Sequence, residues 1–159
     1  MTVAGRSLMH ARWWLVAGVL AQAVISFPGM AAEGIEVATA SGKFDEVKES
    51  VTLAIEGRGL VINSVSKVGE MLDRTGADLG AARKIYGNAE VFEFCSAKVS
   101  RQMMEAAPEN LVYCPYTIAV YTLPGQSGKV FVAYRKPPPG PAFAPVEALL
   151  KEIVGEAAR

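Results

Sequence analysis

Two cysteines, Cys95 and Cys114, are the residues best able to do chemistry, and the chain has no others. They stand 19 residues apart. That spacing matches neither a C-x-x-C dithiol motif nor a four-ligand zinc site. Three chemistries stay open. Outside the cytosol two cysteines usually pair, and a bridge closing a loop of this size contributes roughly 3 kcal/mol in the chain-entropy model. Alternatively the pair works as a redox thiol or persulfide carrier. Cys95 directly precedes Ser96, a residue suited to cap a helix, and unpaired helix N–H groups near a sulfur favour its thiolate. Tyr113 and Tyr116 flank Cys114, and Pro115 follows it. In the third reading both sulfurs, with Met103 or Met104, ligate a soft metal such as Cu(I). Against it, Met103 falls on the inward stripe of a helical segment, where methionine is ordinary core filler.

Other side chains could assist. Glu93 shares a strand face with Cys95 and could act as a base beside the thiol, though an outward carboxylate is the commoner case. Arg101 and Arg74 could hold an anion. Gly76 and Gly80 lie near Arg74, but the phosphate-loop pattern G-x-x-x-x-G-K-[ST] is absent. Tyr113, Tyr116, Tyr121 and Tyr134 cluster around the last strands. They could line an apolar pocket or a dimer face; plain sheet packing is the commoner case.

The single histidine, His10, lies in a segment that reads as a secretory signal. Arg6 and Arg12 precede an uncharged run from Trp13 to Phe27, WWLVAGVLAQAVISF, after which Pro28-Gly29 and small residues through Ala32 offer a cut. The run is shorter than the roughly 20 residues of a spanning helix, so a cleaved signal over residues 1–32 is expected rather than a membrane anchor. The product would be periplasmic or otherwise exported. It would hold no imidazole, which removes Ser-His and Cys-His nucleophile activation and histidine metal sites. Without Arg6 and Arg12, the 16 basic residues become 14 against 16 acidic ones. That balance shows no basic excess of the kind a nucleic-acid binder carries. No cofactor is implied.

The elements that must hold these residues follow from periodicity. IEVAT at residues 35–39 alternates as a strand. Phe44, Val47, Val51, Ala54 and Ile55 form a helical stripe after Ser41 or Lys43, ended by Gly57 and Gly59. Residues 60–67 read as a second strand. The glycine-punctuated stretch 70–88 reads as loop with about one helix. EVFEFC at 90–95 is a third strand, with Phe92 and Phe94 on one face and Glu93 and Cys95 on the other. A helix from Ala97 towards Ala107 presents Val99, Met103 and Ala106 inward, and Pro108 stops it. TIAVYTL and KVFVAYR form a hairpin around Pro124–Gly128. Pro145 opens a final helix with Val146, Leu149, Leu150, Ile153 and Val154 on one stripe. The order predicts one α+β domain over residues 33–159 (core about 35–155), a largely antiparallel sheet of about five strands with helices packed on one face.

The segments SGKFDEVKESVTLAIEGRGL, TIAVYTLPGQSGKVFVAYR and the closing helix resemble the domain of unknown function 302 family. GEMLDRTG, AEVFEFCSA and ENLVYCPYTIAVY look like its exported, two-cysteine branch. The resemblance implies a TATA-binding-protein-like arrangement of sheet and helices, and a homodimer. It carries no established activity and therefore no catalytic residue. The expectation is an exported binding or accessory module for a small ligand or protein partner, built around Cys95 and Cys114.

Overall fold

Strand alternation decides which side of this protein is covered. The computed structural model describes residue 1, residues 34–80 and residues 83–159. The segment expected to be a signal peptide, with His10, therefore lies outside the described residues except for Met1. The elements run β1 (Ile35–Ser41), α1 (Phe44–Glu56), β2 (Val61–Ser66), α2 (Val68–Gly76), β3 (Ala89–Cys95), α3 (Ala97–Ala106), a 3-10 turn (Pro108–Tyr113), β4 (Tyr116–Tyr121), β5 (Lys129–Arg135) and α4 (Ala144–Ala157). The five strands form one sheet in the order β1-β5-β4-β3-β2, and every pairing is antiparallel. The fold is α+β with an open sheet, as the strand and helix order predicts.

Because successive strand side chains point to opposite faces, β3, β4 and β5 each contribute one face to the core. Phe92 and Phe94, Ile118 and Val120, and Val130 and Val132 are all buried there. Against them pack Val47, Val51, Ala54 and Ile55 of α1, Met103 of α3, and Val146, Leu150, Ile153 and Val154 of α4. The expected stripes of α1 and α4 face the core, with Phe44 and Leu149 partly buried and the rest buried, while Leu53 faces solvent at 62% exposure. Two ion pairs tie the helices down. Lys48 of α1 reaches Glu90 of β3 at 3.0 Å, and Arg58 reaches Glu156 of α4 at 2.8 Å.

Three local features differ from the periodicity reading. The helix in the glycine-rich stretch is α2, beginning at Val68. It lies close to β3 because Gly69 is bare: a Cβ there would stand 2.8 Å from the Ala89 backbone nitrogen. In α3 the buried positions are Ser100 and Met103 rather than Ala106, which is exposed. A hydrogen-bonded serine replaces an apolar contact, which periodicity alone cannot foresee. Pro108 ends α3 and also opens the 3-10 turn, at a position that needs no N–H donor. Edge strand β2 carries an irregularity between Ile62 and Ser64, a common feature of unpaired edges.

Burial ranks the mutations. Phe92→Ala, at a fully buried site, is expected to lose about 3–5 kcal/mol. Leu53→Ala should stay within about 0.5 kcal/mol. Urea denaturation of both variants checks this. Comparable losses would show that α1 does not present the face described.

Candidate functional site

The first candidate centre is at the end of β3. Phe94 pairs with Tyr116 across β3 and β4, which brings the end of one strand beside the start of the other. Cys95 and Cys114 are joined in a disulfide with Cα atoms 6.3 Å apart, inside the roughly 7 Å limit for bridging. Ser96 caps α3, its hydroxyl accepting from the Val99 N–H at 3.4 Å. One turn on, the buried Ser100 hydroxyl lies 2.9 Å from the Tyr116 hydroxyl and 3.8 Å from the Cys114 sulfur. Asn110 closes the 3-10 turn by donating to the Met103 carbonyl at 2.9 Å. Burial raises the Tyr116 pKa, and the Ser100 hydrogen bond offsets part of that rise.

The second centre is the sheet face that no core helix covers. Strand register arranges its side chains in rows. Ser64, Glu93 and Thr117 form a polar row, with Arg135 and the apolar Ile35 paired beyond it at the same end; Val91, Ala119, Ala133 and Val37 form a row of small apolar residues; Tyr121 and Phe131 form an aromatic row. Tyr121 stacks on Phe131 with ring centres 5.1 Å apart, and Tyr86 meets Tyr121 edge-on at 5.6 Å. Over these rows lies a groove of about 480 Å³, walled by Tyr86 and Tyr121, by Val68 of α2, and by Thr117, Arg135 and Ile35. A smaller cavity of about 110 Å³ beside Pro115 shares Thr117 and Arg135 as its wall. Burial chiefly raises the Tyr121 pKa, and Tyr86 adds to it.

A family model for the domain of unknown function DUF302 matches residues 35–158. The chain belongs to the DUF302 family. Among solved structures, it is similar to an uncharacterised conserved DUF302 protein from Bacillus stearothermophilus. That match has a TM-score of 0.64 and 16% identity, and covers 80% of this chain and 100% of that one. At that identity the likeness shows the fold alone. No curated protein matches the chain.

Within this DUF302 chain the residues singled out from sequence are dispersed. Cys95, Cys114 and Tyr116 meet at one end of the sheet. Tyr113 packs edge-on to Phe143 at 4.8 Å, between the 3-10 turn and α4. Met103 is fully buried in the core. Arg101 pairs with Glu105 at 2.8 Å on an exposed face of α3, and Glu93 accepts from the Ser64 hydroxyl at 2.9 Å. Among the described residues, no group of three or more His, Cys, Asp or Glu side chains could hold a metal, and no helix is long and apolar enough to cross a membrane. Sequence reasoning passed over Thr117, Ala119, Ala133 and Arg135. The available signal was a pair of neighbouring strands whose central outward positions, Ala119 and Ala133, are alanine rather than charged.

Two outcomes follow. Replacing both Cys95 and Cys114 by Ser should cost about 3 kcal/mol with the far-UV spectrum unchanged, and thiol titration of the native protein should find close to none. Tyr116 is favoured as the neutral phenol when folded. Its contribution is full below the unfolded pKa of about 10 and is lost as pH rises through the folded value. Alkaline denaturation should therefore begin above about pH 10 and be less steep in Tyr116→Phe.

Proposed function

We propose that this DUF302 chain is an exported binding module whose ligand occupies the groove on the uncovered sheet face, with Cys95–Cys114 as a structural bridge. The observation that carries this reading is the groove itself. Its volume of about 480 Å³ lies within the usual range for small-molecule sites, and its mix of apolar walls with a few polar groups is their usual composition. The disulfide supports a structural role because both sulfurs are already bonded. Thiol, persulfide or Cu(I) chemistry would first need an external reductant. Two cysteines joined in this way also suit an oxidising compartment, which agrees with the signal-like residues 1–32.

A second copy of the chain is the other occupant this face favours. Ile35 and Val37 stand 42% and 43% exposed on it, beside the half-buried Phe131, and homodimers bury apolar surface of this kind. A face-to-face dimer would cover the groove, so the two readings exclude each other.

Ala119→Trp separates them. The indole would fill the groove floor without entering the core. Nile red fluorescence enhancement should be lost while the melting temperature stays within a few degrees. Persistent enhancement places the apolar site elsewhere. A dimer by sedimentation that Ala119→Trp converts to monomer favours the second copy. The protein recovered from outside the cytoplasm should have an intact mass that begins near Ala32 or Glu33; an uncut chain resisting carbonate extraction would mean an anchor.

A further inference from the structure

We propose that the groove selects a small amphipathic anion: a flat apolar body carrying one carboxylate or similar oxyanion, which Arg135 and Thr117 receive. The inference rests on the groove being the ligand site, and it names the chemistry of the ligand. Its basis is the polarity gradient along the face. Thr117 and Arg135 stand one position beyond the last β4–β5 pair, Ile118 with Tyr134, and both line the groove at one end. Tyr121 and Phe131 are stacked at the other, four residues further along each strand. At about 3.3 Å per residue the two ends are about 13 Å apart, a span that suits a body of two fused rings. Between them the floor is Val91, Ala119 and Ala133, so no long side chain fills the space.

The charge at the polar end is uncompensated. Among the described residues Arg135 makes no ion pair, whereas its neighbour Lys136 is held by Glu36. The nearby carboxylates are occupied or face elsewhere. Glu90 is among the groove's lining residues, but its carboxylate is taken by Lys48 of α1 at 3.0 Å. Glu93 lies two strands from Arg135, is held by Ser64 at 2.9 Å, and does not line the groove. A guanidinium presents parallel N–H donors that match a carboxylate, and the Thr117 hydroxyl beside it can donate another. The apolar body would lie on the alanines and end against the face or edge of Tyr86 and Tyr121, where offset and edge-on ring contacts are favourable. A neutral apolar ligand would leave the arginine unmatched, and a strongly hydrated dianion would lack a second cation in the groove.

Naphthoate and naphthamide, equal in shape and differing in charge, are the probes, with affinities read by calorimetry at low salt on the purified protein. Naphthoate is expected to bind at least tenfold tighter, with the preference shrinking as salt rises. In Arg135→Gln the ratio should fall to near one while naphthamide affinity is unchanged. Arg135→Lys, which keeps the charge without the fork, should retain part of it. Arg135 is exposed, so these variants should fold; equal melting temperatures check that. Equal binding of both probes by the unaltered protein, or a preference that survives Arg135→Gln, overturns the anion assignment and leaves the groove reading standing. Failure of both probes to bind overturns the groove reading, and this inference with it.

Discussion

Side-chain parity on β3, β4 and β5 is the constraint on which the rest of the protein depends. Each central strand places every second residue under the helices, and burial of Phe92, Phe94, Ile118, Val120, Val130 and Val132 fixes which residues those are. A slip of one residue would turn Glu93 and Thr117 into the core and expose the phenylalanines. The same parity therefore dictates what stands on the opposite face. Thr117, Ala119 and Tyr121 are outward because Ile118 and Val120 are inward, and the groove results from the core's own register.

At the cysteine end the constraint takes a different form. The edge-on contact of Phe94 with Tyr116 aligns β3 with β4, and the disulfide fixes the same junction covalently, closing off α3 and the 3-10 turn between its two sulfurs. Inside that loop the polar contacts are few and local: Ser96 caps the helix, Ser100 meets Tyr116, and Asn110 meets the Met103 carbonyl. Buried hydroxyls are tolerable because each has a partner. Met103 can then enter the core while the polar positions on the same helix are satisfied at the strand. Cross-link and packing act on one unit, which supports the structural role proposed for the cysteines.

Membership of the DUF302 family accounts for the architecture and is silent on chemistry. The Bacillus stearothermophilus protein shares the fold at 16% identity, a level at which outward residues of a sheet vary freely. The groove has therefore to be read from this chain's own side chains. An uncovered face with alanine at its centre, rings at one end and, among the described residues, an arginine outside any ion pair at the other has the composition proposed for a ligand site. The outward positions of a solvated antiparallel sheet are usually polar.

The sequence by itself determined most of the elements and the inward faces of α1, α4 and the central strands, because periodicities of 3.6 and 2 are local properties. The stripe of α1, the stripe of α4 and the alternation around Phe92 and Phe94 needed no tertiary knowledge. It also brought the two cysteines forward as the residues to watch. What it could not supply was adjacency beyond the β4–β5 hairpin. Strand order β1-β5-β4-β3-β2 is a long-range choice made by packing, and only that order sets Val91 beside Ala119 and Val37 beside Ala133. Ser100 likewise is buried with its hydroxyl 2.9 Å from that of Tyr116, a contact that no local period encodes. Glu93, Arg101 and Met103 looked like partners for Cys95 because they lie near it in sequence. The fold gave Glu93 to Ser64, Arg101 to Glu105 and Met103 to the core, since a helix and a strand that meet at a cap point most of their side chains apart.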